Sequence, residues 1–328
     1  MSRTVGPFEV SPVGLGCMSL SHAYGTPPDG ATASKLLHGA LDMGCNFLDT
    51  AALYGFGANE TLVGNTLRDR RGEFVLASKC GMTGVAGKRV IDGRPDTIKR
   101  TCDESLKRLQ TDAIDLYYLH RWDRAVPIED SVGALADLVR AGKIKGIGLS
   151  EVSAATLRKA HAVHPIAALQ SEYSLWTRNP EIATLAACAE LGTAFVAFSP
   201  VGRGFLAGGL RDLAALPEKD IRRAMPRFQG ESFAANLMLL DGLAAIAREK
   251  DCTPAQLALA WVLSRGPHVV AIPGTTSLAH LKENFAARDL AVDAATLGRL
   301  DALINARTVH GRRYNAATEA EIDTESEP

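Results

Sequence analysis

No run of about 18 consecutive apolar residues occurs in this chain of 328 residues, so no membrane-spanning helix is expected. The opening segment, MSRTVGPFEVSPVGLG, lacks the apolar core of a secretory leader, which argues against export. Neither sign of charge dominates: 36 Lys+Arg stand against 37 Asp+Glu, a formal net charge of −1. That balance argues against nucleic acid or an anionic membrane surface as the main partner. The six cysteines (Cys17, Cys45, Cys80, Cys102, Cys188 and Cys252) show no C-x-x-C or Cys/His ligand spacing. They read as buried thiols of a reduced, cytoplasmic protein, with no disulfide framework and no metal site. No G-x-G-x-x-G follows the first apolar run, which weakens an open dinucleotide-binding sheet. Internal repeats and interdomain linkers are absent too, and nothing in the sequence fixes an oligomeric state.

What is present is ordinary globular material, 46% hydrophobic and 22% charged. Its length would suit two domains, but α/β barrels often run this long as one. Short apolar runs read as strands at Cys45–Asp49, Phe74–Lys79, Ile114–His120, Ile144–Ser150, Ile166–Gln170, Ala194–Ser199 and Val269–Ile272, with a weaker one at Asp289–Val292. Helical periodicity fills the intervals. From Pro95 to Gln110, for example, Ile98, Cys102, Leu106 and Leu109 form one stripe, and Pro95 suits a first turn. Alternating strands and helices predict a parallel sheet, and eight strands favour closure into a (β/α)8 barrel. Gly14 and Gly16 are expected in an N-terminal hairpin that plugs the barrel bottom. A polar loop (Arg211–Gly230) and two extra helices, near Ala234–Lys250 and Pro254–Ser264, precede the seventh strand and read as a lid or binding region. The barrel is expected to occupy residues 1–314. The acidic end, residues 315–328, is expected to be disordered.

The informative feature is what ends each apolar run. NFLD stops at Asp49, FVLASK at Lys79, LYYLH at His120, IGLS at Ser150, AALQ at Gln170 and AFVAFS at Ser199. In a barrel the C-terminal strand ends ring the active site, so these groups would meet at one mouth. Tyr54 follows Asp49 on the loop just above its strand. A phenol titrates near pH 10, too high for ready proton exchange at neutrality. A neighbouring ammonium favours the phenolate and is expected to lower that value, with Asp49 keeping the ammonium charged. So tuned, Tyr54 is a general acid for carbonyl reduction and a base for the reverse, and His120 orients the carbonyl oxygen.

These residues, in this order, resemble the aldo-keto reductase superfamily almost end to end. The segments that carry the likeness include GLGCMSLSHAYG, NFLDTAALYGFGANETLVGNTL, SLKRLQTDAIDLYYLHRWD, LQSEYSLWTRNPE, FVAFSPVGRGFLAGG and IPGTTSLAHLKEN. The chain is most similar to broad-specificity aldehyde and ketone reductases that carry EYSLWTR. The resemblance implies a tetrad of Asp49, Tyr54, Lys79 and His120, with hydride passing from nicotinamide C4 to the carbonyl carbon. It implies that Ser150, Glu151 and Gln170 hold the carboxamide, although the family usually has Asn at Glu151. Phe198 would stack on the nicotinamide ring, and Ser199, Pro200, Val201, Gly202, Arg203 and Gly204 would wrap the pyrophosphate. Ile272, Gly274, Thr275, Thr276, His280, Glu283 and Asn284 would bind the adenosine half. The family often has Arg or Lys where Thr276 and His280 stand, to grip the 2′-phosphate of NADPH. Neither is a fixed cation here, so discrimination against NADH is expected to be weaker, with NADPH still the expected cofactor and NADH the alternative.

Met18, Tyr24, Phe56, Trp122 and Trp176 are candidates for the wall of a pocket for a small carbonyl substrate. Trp261, inside LALAWVL, reads as core. Arg121 and Arg178 read as surface ion pairs, or as recruiters of an acidic substrate. Two other functions compete. A redox-sensing module would keep the cofactor site and act through a protein partner, but no long N-terminal extension or docking segment supports it. An aldolase using Lys79 as a Schiff base is disfavoured, because Asp49 keeps that lysine protonated.

Overall fold

A computed structural model of the chain describes residues 2–85 and 88–326. It opens on an antiparallel hairpin, β1 (Arg3–Val5) and β2 (Phe8–Val10). Next come β3 (Leu15–Gly16), α1 (Gly30–Asp42), β4 (Phe47–Asp49), α2 (Ala58–Leu67) and β5 (Val75–Cys80). A second hairpin, β6 (Met82–Val85) and β7 (Lys88–Ile91), then leads to α3 (Pro95–Leu109). The alternation resumes with β8 (Ile114–Leu119), α4 (Ile128–Arg140), β9 (Ile144–Ser150), α5 (Ala154–Val163), β10 (Ala168–Glu172), α6 (Thr184–Leu191) and β11 (Ala194–Phe198). After α7 (Gly230–Glu249) and α8 (Pro254–Leu263) come β12 (Val269–Ile272), α9 (Leu278–Ala286), α10 (Ala294–Leu303) and α11 (Ala316–Glu319).

Eight strands pair in parallel in the order β12-β11-β10-β9-β8-β5-β4-β3. The ends of that row meet. Val13 bridges Ala271, Gly16 bridges Gly274, and Gly14 N–H donates to Ala271 O at 2.8 Å. The sheet is therefore a (β/α)8 barrel. Its first strand is β3, not the weak candidate at Asp289–Val292, which is the end of a 3-10 turn (Ala287–Asp289) followed by coil. Gly14 and Gly16 accordingly belong to the closing seam rather than to the hairpin. Both pass too close to neighbouring backbone for a side chain: a Cβ on Gly14 would lie 2.7 Å from Phe47 O, and one on Gly16 would lie 2.9 Å from Ile272 O. The hairpin plugs the barrel through Val5 and Val10.

Side chains alternate across a strand with period two, and the barrel sorts them by parity. Phe47, Val75, Ala77, Leu116, Tyr118, Ala168, Ala194, Val196 and Val270 fill the interior. Leu48, Leu76, Tyr117, Leu149, Leu169 and Phe195 face the helices. α3 shows the helical counterpart. Ile98, Cys102 and Leu109 are buried and Leu106 partly so, as their spacing predicts, and Pro95 opens the helix. The tail, expected to be disordered, lies here against the barrel. Asp323 accepts hydrogen bonds from Ser153 and Thr156, and Glu325 accepts one from Ala154 N at 2.7 Å, so both carboxylates sit at the start of α5. Among the described residues no helix is long and apolar enough to cross a membrane.

Candidate active site

Continuing the interior parity by one step toward the C-terminal strand ends replaces apolar residues with polar ones. Phe47 is followed inward by Asp49, Ala77 by Lys79, Tyr118 by His120 and Ala168 by Gln170. Ser150 stands two residues after Gly148, the partner of Tyr118. The strand registers stagger this set around the mouth: Asp49 lies opposite Ala77, Lys79 opposite Tyr118 and Gln170 opposite Ser150.

Lys79 is fully buried and donates all three of its ammonium hydrogens: to Asp49 Oδ1, to Thr50 O at 2.9 Å and to the Tyr54 hydroxyl at 3.2 Å. Asp49 Oδ2 accepts from Gln170 Nε2 at 2.7 Å, so both carboxylate oxygens are engaged. Burial alone would lower the lysine, but the charges of Asp49 and Tyr54 win and hold it above its ordinary range. Tyr54 departs from expectation. Burial pushes its phenol up, and the pull of the Lys79 ammonium does not overcome that loss of water. Because the phenol oxygen accepts from Lys79, its own hydrogen is left for another acceptor. His120 packs edge-on to Tyr54, with ring centroids 5.8 Å apart. Burial, then Arg121 and Lys79, hold the imidazole well below its usual value, so it is neutral at pH 7. Its Nδ1 is buried without a hydrogen-bond partner among the described residues.

Asp49, Tyr54 and His120 line a cavity of about 740 Å³ that reaches across the mouth to Gly274, Thr275 and Thr276. Ser150, Gln170, Phe198, Ser199, Pro200, Val201, Arg203, Gly204 and Ile272 also line it. The loop after β11 is strongly curved, with Ser199, Gly202, Arg203 and Gly204 all at positive φ.

Residues 12–305 match the family model described as the Aldo/keto reductase family. The chain belongs to this family. It is 41% identical to the aldo-keto reductase yakc [NADP(+)] of Schizosaccharomyces pombe, over 100% of this chain and 98% of that protein. It is 42% identical to probable aldo-keto reductase 1 of Glycine max, over 94% of this chain and 89% of that one. Among solved structures, it superposes on the glycerol dehydrogenase AKR11B4 from Gluconobacter oxydans with a TM-score of 0.86 at 27% identity, covering 94% and 96% of the two chains. The aldo-keto reductase AKR11C1 from Bacillus halodurans gives 0.77 at 30% identity, covering 93% and 96%. The protein is thus an aldo/keto reductase, an oxidoreductase built on a (β/α)8 barrel.

Several residues singled out from this reductase's sequence lie elsewhere. Glu151 is outside the cavity lining. Its carboxylate is buried, pairs with Arg313 at 2.5 Å and accepts from Glu172 N at 2.8 Å. Arg203 lines the cavity but is already paired with Glu172 at 2.5 Å and bonded to the Tyr314 hydroxyl at 2.9 Å. Gly202 lies behind the wall, where its φ of +56° turns the loop. His280, Glu283 and Asn284 are on α9, beyond the cavity. Glu283 there accepts from the Thr253 hydroxyl, and Asn284 is buried. Met18, Tyr24 and Phe56 line the cavity. Trp122 does not: its indole N–H donates to Val126 O at 2.9 Å and its ring meets Arg124. Trp176 is core, stacked on Phe205 at 4.2 Å. Arg178 pairs with Glu181 and Asp301, outside the cavity, and Trp261 is fully buried.

The structure adds cavity residues that the sequence reading passed over. His22 and Leu53 come from loops near the first two strands, Arg89 from β7, and Ile221, Arg222 and Met225 from the long insertion. Tyr314, Asn315 and Thr318 come from the C-terminal segment. None of them ends a strand. The long insertion, expected to be a lid, was the one signal that pointed to its share of the wall.

Proposed function

We propose that this reductase converts aldehydes or ketones to alcohols with NADPH, Tyr54 being the proton donor. The reading rests above all on one arrangement: a buried ammonium, held by a carboxylate, donating to a phenol that faces a cavity. The cavity also suits the cofactor that the fold implies. Its volume lies within the usual range for a small-molecule site, about 300–1,000 Å³. A flat amide-bearing ring would find Phe198 for stacking and the side chains of Ser150 and Gln170 for hydrogen bonding. A pyrophosphate would find the curved Ser199–Gly204 backbone, and Ser19 Oγ is buried at the seam without a partner among the described residues. When bound, a reduced nicotinamide supplies the hydride to the carbonyl carbon.

The protein's own part is to hold the carbonyl and deliver a proton. As hydride arrives, negative charge grows on the carbonyl oxygen, and the Tyr54 hydroxyl gives up its hydrogen to that oxygen. The phenolate left behind is stabilised by the Lys79 ammonium 3.2 Å away. A phenol with a raised pKa still suffices, because an alkoxide is a far stronger base than a phenolate. Neutral His120 orients the oxygen by hydrogen bonding rather than by charge. Lys79 keeps its proton and takes no direct part in bond formation, which disfavours an imine.

NADPH is preferred over NADH in this reading, in line with the NADP(+) in the name of the fission-yeast relative. Thr275 and Thr276 are the hydroxyls near a 2′-phosphate in this reading, and His280, on α9 just beyond them, is exposed. The test is loss of absorbance at the reduced-nicotinamide band with a panel of aldehydes and ketones, with each cofactor in turn. Turnover is expected with several, faster with NADPH. Tight cofactor binding without turnover of any carbonyl would overturn the proposal.

A further inference from the structure

We infer that Arg121 forms an anion subsite, so that the favoured carbonyl substrates carry a carboxylate or similarly charged group. The inference rests on the reductase reading above and names a substrate class for it. Among the described residues, four arginines line the cavity. Three have carboxylate partners: Arg89 with Glu321 at 2.5 Å, Arg203 with Glu172 at 2.5 Å, and Arg222 with Asp220 at 2.7 Å. Lys79, behind Tyr54, is matched by Asp49. Arg121 stands apart. Among the described residues no carboxylate lies within 4.0 Å of its guanidinium, and its Nη1 donates only to neutral acceptors, His120 O at 2.7 Å and Ser150 Oγ at 3.2 Å. Its Nε is buried and has no hydrogen-bond partner among the described residues. A half-buried guanidinium with an idle donor is costly unless an anion completes it, and its planar fork suits a carboxylate.

Topology separates that anion from the phosphates of a dinucleotide. Arg121 follows β8, which lies four strands from β12 in either direction around the ring. The Gly274–Thr276 segment therefore stands on the opposite side of the mouth, and the Ser199–Gly204 loop, after β11, is three strands away. Arg121 instead shares its corner with His120 and Tyr54, where the carbonyl is expected. The cavity wall also carries the apolar Met18, Leu53, Phe56 and Met82, and beside His120 the charge of Arg89, which Glu321 matches, and the ring of His22. Such a pocket takes a hydrophobic carbonyl compound, and the single unmatched charge then selects for the acid over its ester.

Two measurements test this on the full chain loaded with NADP+ or NADPH. In the first, calorimetry compares benzoate with benzamide, neither of which is reduced. Benzoate is expected to bind at least about tenfold more tightly, and Arg121→Gln to remove that difference while Arg121→Lys keeps part of it. In the second, the 2-, 3- and 4-carboxybenzaldehydes are compared with their methyl esters. At least one acid is expected to exceed its ester about tenfold in kcat/KM, through KM. Arg121→Gln should abolish that advantage, so that acid and ester react with similar kcat/KM. Equal binding of benzoate and benzamide overturns the subsite, as does an acid preference that survives Arg121→Gln. A variant that loses cofactor affinity and both substrates together also overturns it, assigning Arg121 to the nicotinamide corner instead. Failure of the esters to react in the wild type would strike the reductase reading, which the benzoate comparison does not depend on.

Discussion

Lys79 has three ammonium hydrogens and three acceptors around them, which sets the pH behaviour of the whole site. With Tyr54 held above its ordinary value and His120 well below its own, neither group changes charge near neutrality. On the proposed mechanism, reduction needs the phenol protonated and is expected to be flat from about pH 6 to 9. Alcohol oxidation needs the phenolate, so its rate should climb with pH through that range. An inflection in the reduction profile near pH 6.5 would contradict the neutral His120. At the far end of the cavity, Thr276 is exposed and uncharged. Thr276→Arg is expected to tighten NADPH binding by about tenfold with little effect on NADH, as one charge-assisted contact should. An unchanged preference, measured by fluorescence titration, would show that the phosphate lies elsewhere. Asp49, Lys79, His120, Ser150 and Gln170 were legible in the sequence because each ends an apolar run in the same phase. Glu151 was not, because Arg313, which claims its carboxylate, lies 162 residues further along the chain. The direction of the Tyr54 shift was illegible for a related reason: burial is a property of the assembled mouth.

At the scale of elements, β10 ends in a carboxylate that gathers distant cations. Glu172 takes Arg203 from the loop after β11 and Arg313 from the C-terminal segment. Burial alone would raise this carboxyl, but the two guanidiniums prevail and hold it down to about 2. A depressed carboxyl stabilises the fold above its unfolded value, near 4.3, and loses that contribution as pH falls toward 2. Glu172→Gln is therefore expected to be less stable than the wild type at pH 7, by about 3–5 kcal/mol if the two arginines stay buried. The gap should close between about pH 4 and 2. Denaturant melts at pH 7 and pH 3 check this, and a gap that is constant with pH would contradict it. Seven barrel strands were readable from runs of β-branched and aromatic residues. β3 was not. Two residues long and half glycine, it has too few side chains to show alternation, and backbone approach rather than burial fixes it. The Asp289–Val292 run alternates like a strand, yet it follows a helix and pairs with nothing in the sheet.

For the whole molecule, the C-terminal segment joins stability to access. Tyr314, Asn315 and Thr318 are cavity wall, Glu321 reaches Arg89 on β7, and Asp323 and Glu325 sit at the start of α5. Composition suggested a solvated acidic end because no apolar stripe anchors it. Besides the buried apolar Ile322, what anchors it is carboxylate meeting helix start and arginine, which shows only when those partners are placed. Removing residues 315–328 is expected to cost about 1–2 kcal/mol through the lost caps and to change KM among aldehydes of different bulk. Thermal melts and a substrate panel measure both, and an unchanged panel would mean that the segment does not face substrate. The central claim concerns one proton. Its most direct test compares wild type with Tyr54→Phe, following NADPH oxidation by an aldehyde alongside NADPH affinity by fluorescence quenching. The account predicts a fall of about 10²–10⁴-fold in kcat with Kd for NADPH nearly unchanged. Reduction surviving at close to the wild-type rate would contradict it.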